Sequence, residues 1–266
     1  MLKNSVKDFV ENIQAEGRYS FEKSELNNQL NLSPEATQSA LKRLARKNRI
    51  ATPRKGFYVI IPLEYRSGGI IPASWFINQL MTFLDMNYYV GLLSAAALHG
   101  AAHQQPQEFH VVTAKQIRPI EIKGIRIKFF TKSTIKPEKR INHIKTETGY
   151  INVSNPEITA LDLIRYCPKV GGFNFISTVL LELSEKIKAS ELLQAAKMEK
   201  NQVYIQRLGY ILDYLGKEKL TTKLNQWFRK QKSLRISLAP GILAEDSNLN
   251  QKWNIWVNKI IEVDEL

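Results

Sequence analysis

Three of the four histidines of the chain stand close together, at His99, His103 and His110. His99 and His103 are four residues apart, a spacing that places both imidazole rings on one face of a helix. Zinc bound there would need a third ligand and usually a fourth, but no cysteine lies nearby and no glutamate follows His99 to form a His-Glu-x-x-His motif. His110 could serve only if the chain folds back on itself. We therefore expect no metal and no cofactor, and interpret His99 as the end of an alanine-rich helix, capped by Gly100 or the turn beyond it, with its ring bonded to backbone carbonyls.

The chain offers two candidate nucleophiles, Cys167 and Ser94. Cys167 is the only cysteine, so no internal disulfide can form, which is typical of the reducing cytoplasm. It precedes Pro168, and no base partner is evident in the sequence. Ser94 lies in the segment LLSAAALHG, which does not have the pattern of a strand–turn–helix elbow. We therefore expect no catalytic residue, and a binding protein rather than an enzyme.

One enzymatic alternative stays open. Glu121 and Lys123 fit the Glu-x-Lys element of restriction-type nucleases, in which a carboxylate holds Mg²⁺ and a lysine assists the attacking water. Such a site also needs an upstream acid, for which Asp85 and Glu108 are available. Because Glu-x-Lys is frequent on exposed strands, a Mg²⁺-dependent nuclease is the alternative and not the first hypothesis.

The N-terminal residues have the element order of a winged helix-turn-helix. One apolar helical face is formed by Val6, Phe9, Val10 and Ile13. A short extended piece and a second helix follow. Ser33 and Pro34 suit the N-cap and first position of a third helix that runs to Asn48. Two β runs, 50–52 and 57–61, then flank a basic turn that ends at Gly56.

Charge indicates which elements would bind a partner. The chain carries a net charge of +13, which favours a polyanionic partner. From Ser33 to Lys55 there are seven basic residues and one acid, a net charge of +6 on the third helix and the wing. We predict contact with double-stranded DNA through Gln38, Ser39, Lys42, Arg43, Arg46, Lys47, Arg54 and Lys55. The alternative is a winged helix used only for protein contacts, as in an adaptor.

The rest of the chain predicts a larger domain that mixes helices and strands. We expect an α+β protein with a winged helix in 1–66, a linker in 67–74 and a mixed α/β domain in 75–266. The segment NYYVGLLSAAALHG is predicted to be helical, and Asn155 with Pro156 predicts a capped helix start. The segment 115–145 has ten basic residues and two acids, and binds nucleic acid or protein, or simply guards a sheet edge. No apolar run is long enough to cross a membrane, so we expect a cytoplasmic protein.

Three segments carry a family resemblance: YYVGLLSAAALHGAAHQQPQEFHVVT, VSNPEITALDLIRY and QRLGYILDYLG, downstream of the winged helix. The chain resembles the AbiEi family, the antitoxins and autoregulators of bacterial type IV toxin–antitoxin pairs. The resemblance implies repression of its own operon through the N-terminal domain. It also implies action against a nucleotidyltransferase-like toxin without a stable complex. The family motif residues in this chain are Ser94, His99, Gly100, Asp162, Arg207, Leu208 and Gly209.

For two of the motif residues, Asp162 and Arg207, the simpler expectation is an ion pair within the protein. Asp162 lies inside a predicted helix, where pairing with Arg165 is the expected role. Arg207 lies on a largely apolar helix. It could reach a partner or a phosphate, but an internal ion pair with Asp162 is the simpler expectation.

Overall fold

The computed structural model describes residues 5–101, 106–133, 141–243 and 247–263. It confirms the α+β class. The chain divides into two compact units that do not follow chain order: unit 1 holds 1–90 and 107–153, and unit 2 holds 91–106 and 154–266. Among the described residues, no helix combines the length and apolar character that a membrane span requires.

The N-terminal part of unit 1 contains each element that the sequence predicts. Its elements are α1 (Val6–Ala15), β1 (Ser20–Glu22), α2 (Lys23–Gln29), α3 (Pro34–Arg46), β2 (Ile50–Arg54) and β3 (Phe57–Ile60). The three strands form an antiparallel sheet in the order β1-β3-β2. Gly56 has a φ of 91°, so the turn between β2 and β3 uses glycine where a left-handed conformation is needed.

These elements share one hydrophobic core. Phe9, Phe21 and Tyr58 form its aromatic centre, with ring centroids 5.3 Å apart for the first pair and 5.2 Å for the second. The other buried members come from all three helices and from β2 and β3: Val6, Val10, Ile13, Leu26, Leu30, Leu41, Leu44, Ile50 and Ile60. Because every element contributes to this core, the orientation of α3 is fixed from behind by packing.

The rest of unit 1 is built on a six-stranded mixed sheet in the order β6-β7-β5-β4-β9-β8. Its strands are β4 (Tyr88–Val90), β5 (Glu108–Thr113), β6 (Ile120–Ile122), β7 (Ile125–Thr131), β8 (Ile141–Thr146) and β9 (Gly149–Ser154). The pairs β5–β7 and β4–β9 are parallel, whereas β4–β5 and β6–β7 are antiparallel. A short helix, α4 (Ile77–Phe83), precedes β4.

The prediction of a helix that starts at Asn87 was wrong for its first part. Tyr88, Tyr89 and Val90 form a strand that is buried and lies between β5 and β9. The chain then turns at Gly91 and begins α5 (Leu92–Leu98), with Leu92 at a φ of 51°. A buried strand has no alternation of polar and apolar residues, so its sequence pattern cannot be distinguished from that of a buried helix.

Unit 2 is mainly helical. After α5 come α6 (Pro156–Arg165), α7 (Gly172–Leu183), α8 (Ala189–Met198), α9 (Gln202–Tyr214) and α10 (Glu218–Phe228). A small sheet in the order β10-β12-β11 follows, formed by β10 (Ile236–Ser237), β11 (Asn248–Asn250) and β12 (Ile255–Val257). As predicted, the side chain of Asn155 caps α6 by accepting a hydrogen bond from the N–H of Ile158 at 3.0 Å.

Candidate DNA-binding surface

Helix α3 has one buried face and one polar face. The Ser33 hydroxyl accepts a hydrogen bond from the N–H of Ala36 at 3.2 Å, and Pro34 occupies the first turn. Thr37, Leu41 and Leu44 are buried at helical spacing. A turn from Leu30 to Ser33 separates α2 from α3, which is the connection length of a helix-turn-helix.

The opposite face of α3 is polar, cationic and exposed. The predicted contact residues on this face are Gln38, Ser39, Lys42, Arg43, Arg46 and Lys47. The four cations of this face form no ion pair with any residue that the structure describes; they are Lys42, Arg43, Arg46 and Lys47. The carboxylate of Glu11 on α1 forms an ion pair with Arg49 at 2.8 Å, and Arg49 is not one of the predicted contact residues. The cationic face therefore keeps its charge available for an anionic partner.

The two predicted wing residues differ in their surroundings. Lys55 is exposed. Arg54 is partly buried, and its guanidinium donates a hydrogen bond to the carbonyl oxygen of Arg118. Burial, followed by the nearby charge of Arg118, lowers the pKa of Arg54. Its guanidinium stays charged at neutral pH but is held against the segment before β6.

A second contact joins the end of α3 to the β6–β7 hairpin. The ammonium of Lys123 donates to the side-chain oxygen of Asn48, and both residues have positive φ, 47° and 52°. Gly69 packs against the same hairpin, and a Cβ added to it would collide with the carbonyl oxygen of Lys123. Gly69 was predicted to lie in a linker. Its position instead requires glycine because the backbone of the hairpin approaches so closely.

Glu121 and Lys123, the residues of the nuclease alternative, point to different partners. Glu121 is paired with Arg126 at 2.9 Å, whereas Lys123 turns to Asn48. The candidate upstream acid, Glu108, accepts from Arg126 at 3.2 Å and from Lys128 at 3.1 Å. Burial opposes its ionisation, but the hydrogen bonds from Lys128 and Arg126 outweigh burial and lower the pKa of Glu108. Arg126 therefore bridges the two carboxylates, Glu108 and Glu121.

The histidines occupy separate structural roles. His99 ends α5, Gly100 follows with a φ of 78°, and the Nε2 atom of His99 lies 2.6 Å from the carbonyl oxygen of Ser154. His110 is buried beside Glu108, and burial lowers the pKa of His110 to about 4. His103 lies outside the described residues. Within the described ranges, no three His, Cys, Asp or Glu side chains form a group that could hold a metal ion.

The two candidate nucleophiles lie in buried positions. The turn after β4 lies at Gly91, and the segment LLSAAALHG that follows forms α5, so Ser94 lies within the helix and not at the turn. The residue with positive φ is Leu92, and Ser94 is a buried member of α5. The Cys167 thiol is also buried, which raises its pKa to about 11, so it is protonated at neutral pH.

Arg165 of α6 and Arg207 of α9 both form hydrogen bonds that the sequence did not predict. Arg165 bonds to both carboxylate oxygens of Glu199, each at 2.6 Å. Arg207 does not pair with Asp162 and donates to the carbonyl oxygen of Ser237 at 3.0 Å. Burial lowers the pKa of Arg207. Asp162 is fully buried, and its charge acts on Arg165 and Tyr166.

Gly209, also a motif residue, has a clear packing role. A Cβ on Gly209 would lie 2.5 Å from Cζ2 and Cζ3 of Trp253. The indole of Trp253 is fully buried and donates to Asp213 at 2.6 Å, and Asp213 also pairs with Lys252 at 2.7 Å. The sequence offered one signal for this contact, because a glycine inside a helix lowers stability relative to alanine unless a close contact requires it.

One solved structure shares this architecture. The crystal structure of the RV2827C protein from Mycobacterium tuberculosis superposes with a TM-score of 0.68 at 14% identity, covering 93% of this chain and 89% of that one. At that identity the likeness shows the fold alone. A nucleotidyltransferase-like antigenic protein from Paracoccidioides brasiliensis matches at a TM-score of 0.32 and 8% identity, covering 47% of this chain and 84% of that one. A search of curated proteins finds no match.

A family model confirms the resemblance seen in the sequence. Residues 89–214 match the model of the AbiEi antitoxin C-terminal domain. The matched range begins in β4 and ends at the last residue of α9, and it includes Ser94, His99, Gly100, Asp162 and Arg207. The match supports an antitoxin of a toxin–antitoxin system. Residues 89–214 are therefore similar to the C-terminal domain of AbiEi antitoxins.

Proposed function

We propose that the protein is a DNA-binding repressor of its own operon and the antitoxin of a type IV toxin–antitoxin pair. The elements 1–66 act as a winged helix, residues 67–74 connect it, and residues 75–266 carry the antitoxin role. Helix α3 enters the major groove, where Gln38, in the first half of the helix, and Lys42, just past its middle, face base edges. The exposed Lys55 on the wing contacts phosphates.

The observation that carries the proposal is the exposed face of α3. Lys42, Arg43, Arg46 and Lys47 lie on it with no ion pair to a described carboxylate. A row of like charges on a helix repels itself, and binding to phosphates relieves that repulsion while it releases counterions. The buried face of α3 is formed by Thr37, Leu41 and Leu44, so the exposed charged side chains are not part of the core behind it.

Gel-shift titration on the protein's own upstream region tests DNA binding. We expect Arg43→Ala to weaken binding and to reduce the magnitude of the slope of log K against log[salt] by about 1, as the loss of one phosphate contact does. Arg54→Ala should do the same if its guanidinium leaves the Arg118 carbonyl when DNA binds. Lys197→Ala, at an exposed position of α8, is the charge-matched control.

The outcomes separate the alternatives. Equal affinity for the upstream region and for random duplex DNA would argue against specific repression. Failure to bind any nucleic acid at low salt would favour a protein-only adaptor. Cleavage of supercoiled plasmid in Mg²⁺ that Glu121→Ala abolishes would instead establish the nuclease alternative.

The antitoxin role is tested in cells. A neighbouring reading frame that encodes a nucleotidyltransferase-like protein is the expected toxin. Its expression should arrest growth, and co-expression of this chain should restore growth without a stable complex in a pull-down. A chain with Arg43→Ala should still protect, because that residue lies outside the matched range 89–214. Absence of protection by the unaltered chain would contradict the antitoxin role.

A further inference from the structure

A groove lies in unit 2 between the C-terminal end of α10 and the turn that joins β11 to β12. Its volume is about 510 Å³, which falls within the size of small-molecule sites, about 300–1,000 Å³. The polar side chains used below are Arg229, Lys232, Ser233, Gln251, Lys252 and Asn254. Among the residues that the structure describes, those that line the groove include no carboxylate.

Two buried amides fix the walls of this groove. Gln206, which is 1% exposed, donates through Nε2 to the carbonyl oxygens of Leu234 and Trp253, both at 2.9 Å. Asn225 of α10 donates to the carbonyl oxygen of Lys252, also at 2.9 Å. Because these bonds join the segments on either side, the groove is formed before any ligand arrives, and binding costs little conformational entropy.

The charges of the groove favour an anion with two or more negative charges. Lys252 is neutralised by Asp213. Arg229 and Lys232 are exposed and pair with no carboxylate in the described part of the chain. The carbonyl groups at the C-terminal end of α10 stabilise a cation within the last turn. This effect explains the position of at most one of the two cations, Arg229 and Lys232. Lys230, between these two residues in the chain, and Arg235, three residues after Lys232, add positive charge.

Neutral hydrogen-bonding groups lie beside the cations. The Ser233 hydroxyl accepts from the Asn254 amide at 2.7 Å, which leaves its own proton to donate to a ligand. Gln251 is exposed at the turn and has both an amide donor and an acceptor. Cations for phosphate groups, together with amides for a base or a sugar, are the set of groups that binds a nucleotide.

From this geometry we propose that the groove binds a free nucleotide that carries two or more phosphate groups. Arg229 and Lys232 bind the phosphate oxygens, and Ser233 and Gln251 hydrogen-bond the rest of the molecule. The site lies in unit 2, whereas the proposed DNA-binding surface lies in unit 1. The two proposals rest on different residues and can fail separately.

Isothermal titration calorimetry of the full chain with ATP tests the site. We expect saturable binding that inorganic pyrophosphate displaces. Arg229→Ala and Lys232→Ala should each weaken ATP binding about tenfold, since each removes a charge-assisted contact. Lys223→Ala, at an exposed lysine of α10 that does not line the groove, should leave the affinity unchanged. Both groove cations are exposed, so circular dichroism should show an unaltered fold.

The same variants separate this site from operator binding. Gel shifts on the upstream DNA should be unchanged by Lys232→Ala. No saturable ATP binding at low salt would overturn the proposal, as would equal weakening by Lys223→Ala. Binding of a single-stranded RNA decamer or of an acidic peptide, with none of ATP, would also overturn it and assign the groove to another class of partner.

Discussion

Replacing Gly209 with alanine is expected to destabilise unit 2 by about 2 kcal/mol, although alanine is the better helix former. The added Cβ would lie 2.5 Å from two ring carbons of Trp253, well inside van der Waals contact. Overpacking of a core usually costs about 1–3 kcal/mol. We expect the upper end of that range, because Trp253 is fully buried and is held by its bond to Asp213 and by the ring of Phe228. The gain in helix propensity returns about 1 kcal/mol.

A double-mutant cycle measures this contact directly. Urea denaturation followed by circular dichroism gives the free energy of unfolding, and hydrogen exchange of peptides from α9 shows whether the loss is local. In a Trp253→Phe background the distal ring carbons are gone, so Gly209→Ala should become neutral or stabilising, with a coupling energy of about 2–3 kcal/mol. A Gly209→Ala chain as stable as the parent would refute the reasoning, as would the same loss in both backgrounds.

Three further predictions concern the side chains of His110, Cys167 and His99. Burial lowers the pKa of His110 from 6.5 to about 4. Between these two pH values the imidazole is therefore protonated in the unfolded chain and neutral in the folded chain. Stability should be full above pH 6.5 and fall by up to about 3 kcal/mol between pH 6.5 and 4, and denaturation curves of His110→Leu should lack that part of the slope. Cys167, whose pKa burial raises to about 11, should resist iodoacetamide at pH 7.5 in the native chain and react in urea, as mass spectrometry would show; rapid native labelling would contradict its burial. His99→Leu removes the bond to the Ser154 carbonyl and should cost about 1 kcal/mol in thermal unfolding, whereas His99→Gln, which can still donate, should lose less.

Local chemistry made the N-terminal elements predictable. Ser33 and Pro34 define the start of α3, Gly56 defines the turn between β2 and β3, and apolar spacing defines the buried face of α1. The same is true of the cap at Asn155. Each of these signals acts within a few residues, which is the distance over which caps and turns are encoded.

Contacts between distant residues could not be read in the same way. Glu157, in the first turn of α6, is buried and accepts a hydrogen bond from the N–H of Lys188 at 2.8 Å, at the start of α8. The acceptor of Arg207 is a backbone carbonyl 30 positions along the chain, in a strand of only two residues. Backbone carbonyls carry no residue-specific signal, so no pattern of side chains could have pointed to Ser237.

The position of β4 has a consequence for any attempt to express the antitoxin part alone. Tyr88 to Val90 pair with β5 on one edge and, through Val90 and Val153, with β9 on the other. A truncated gene that starts after Val90 would remove the three residues that separate these neighbours, exposing two unsatisfied strand edges that invite self-association. A fragment meant to stay monomeric should therefore begin upstream of Tyr88.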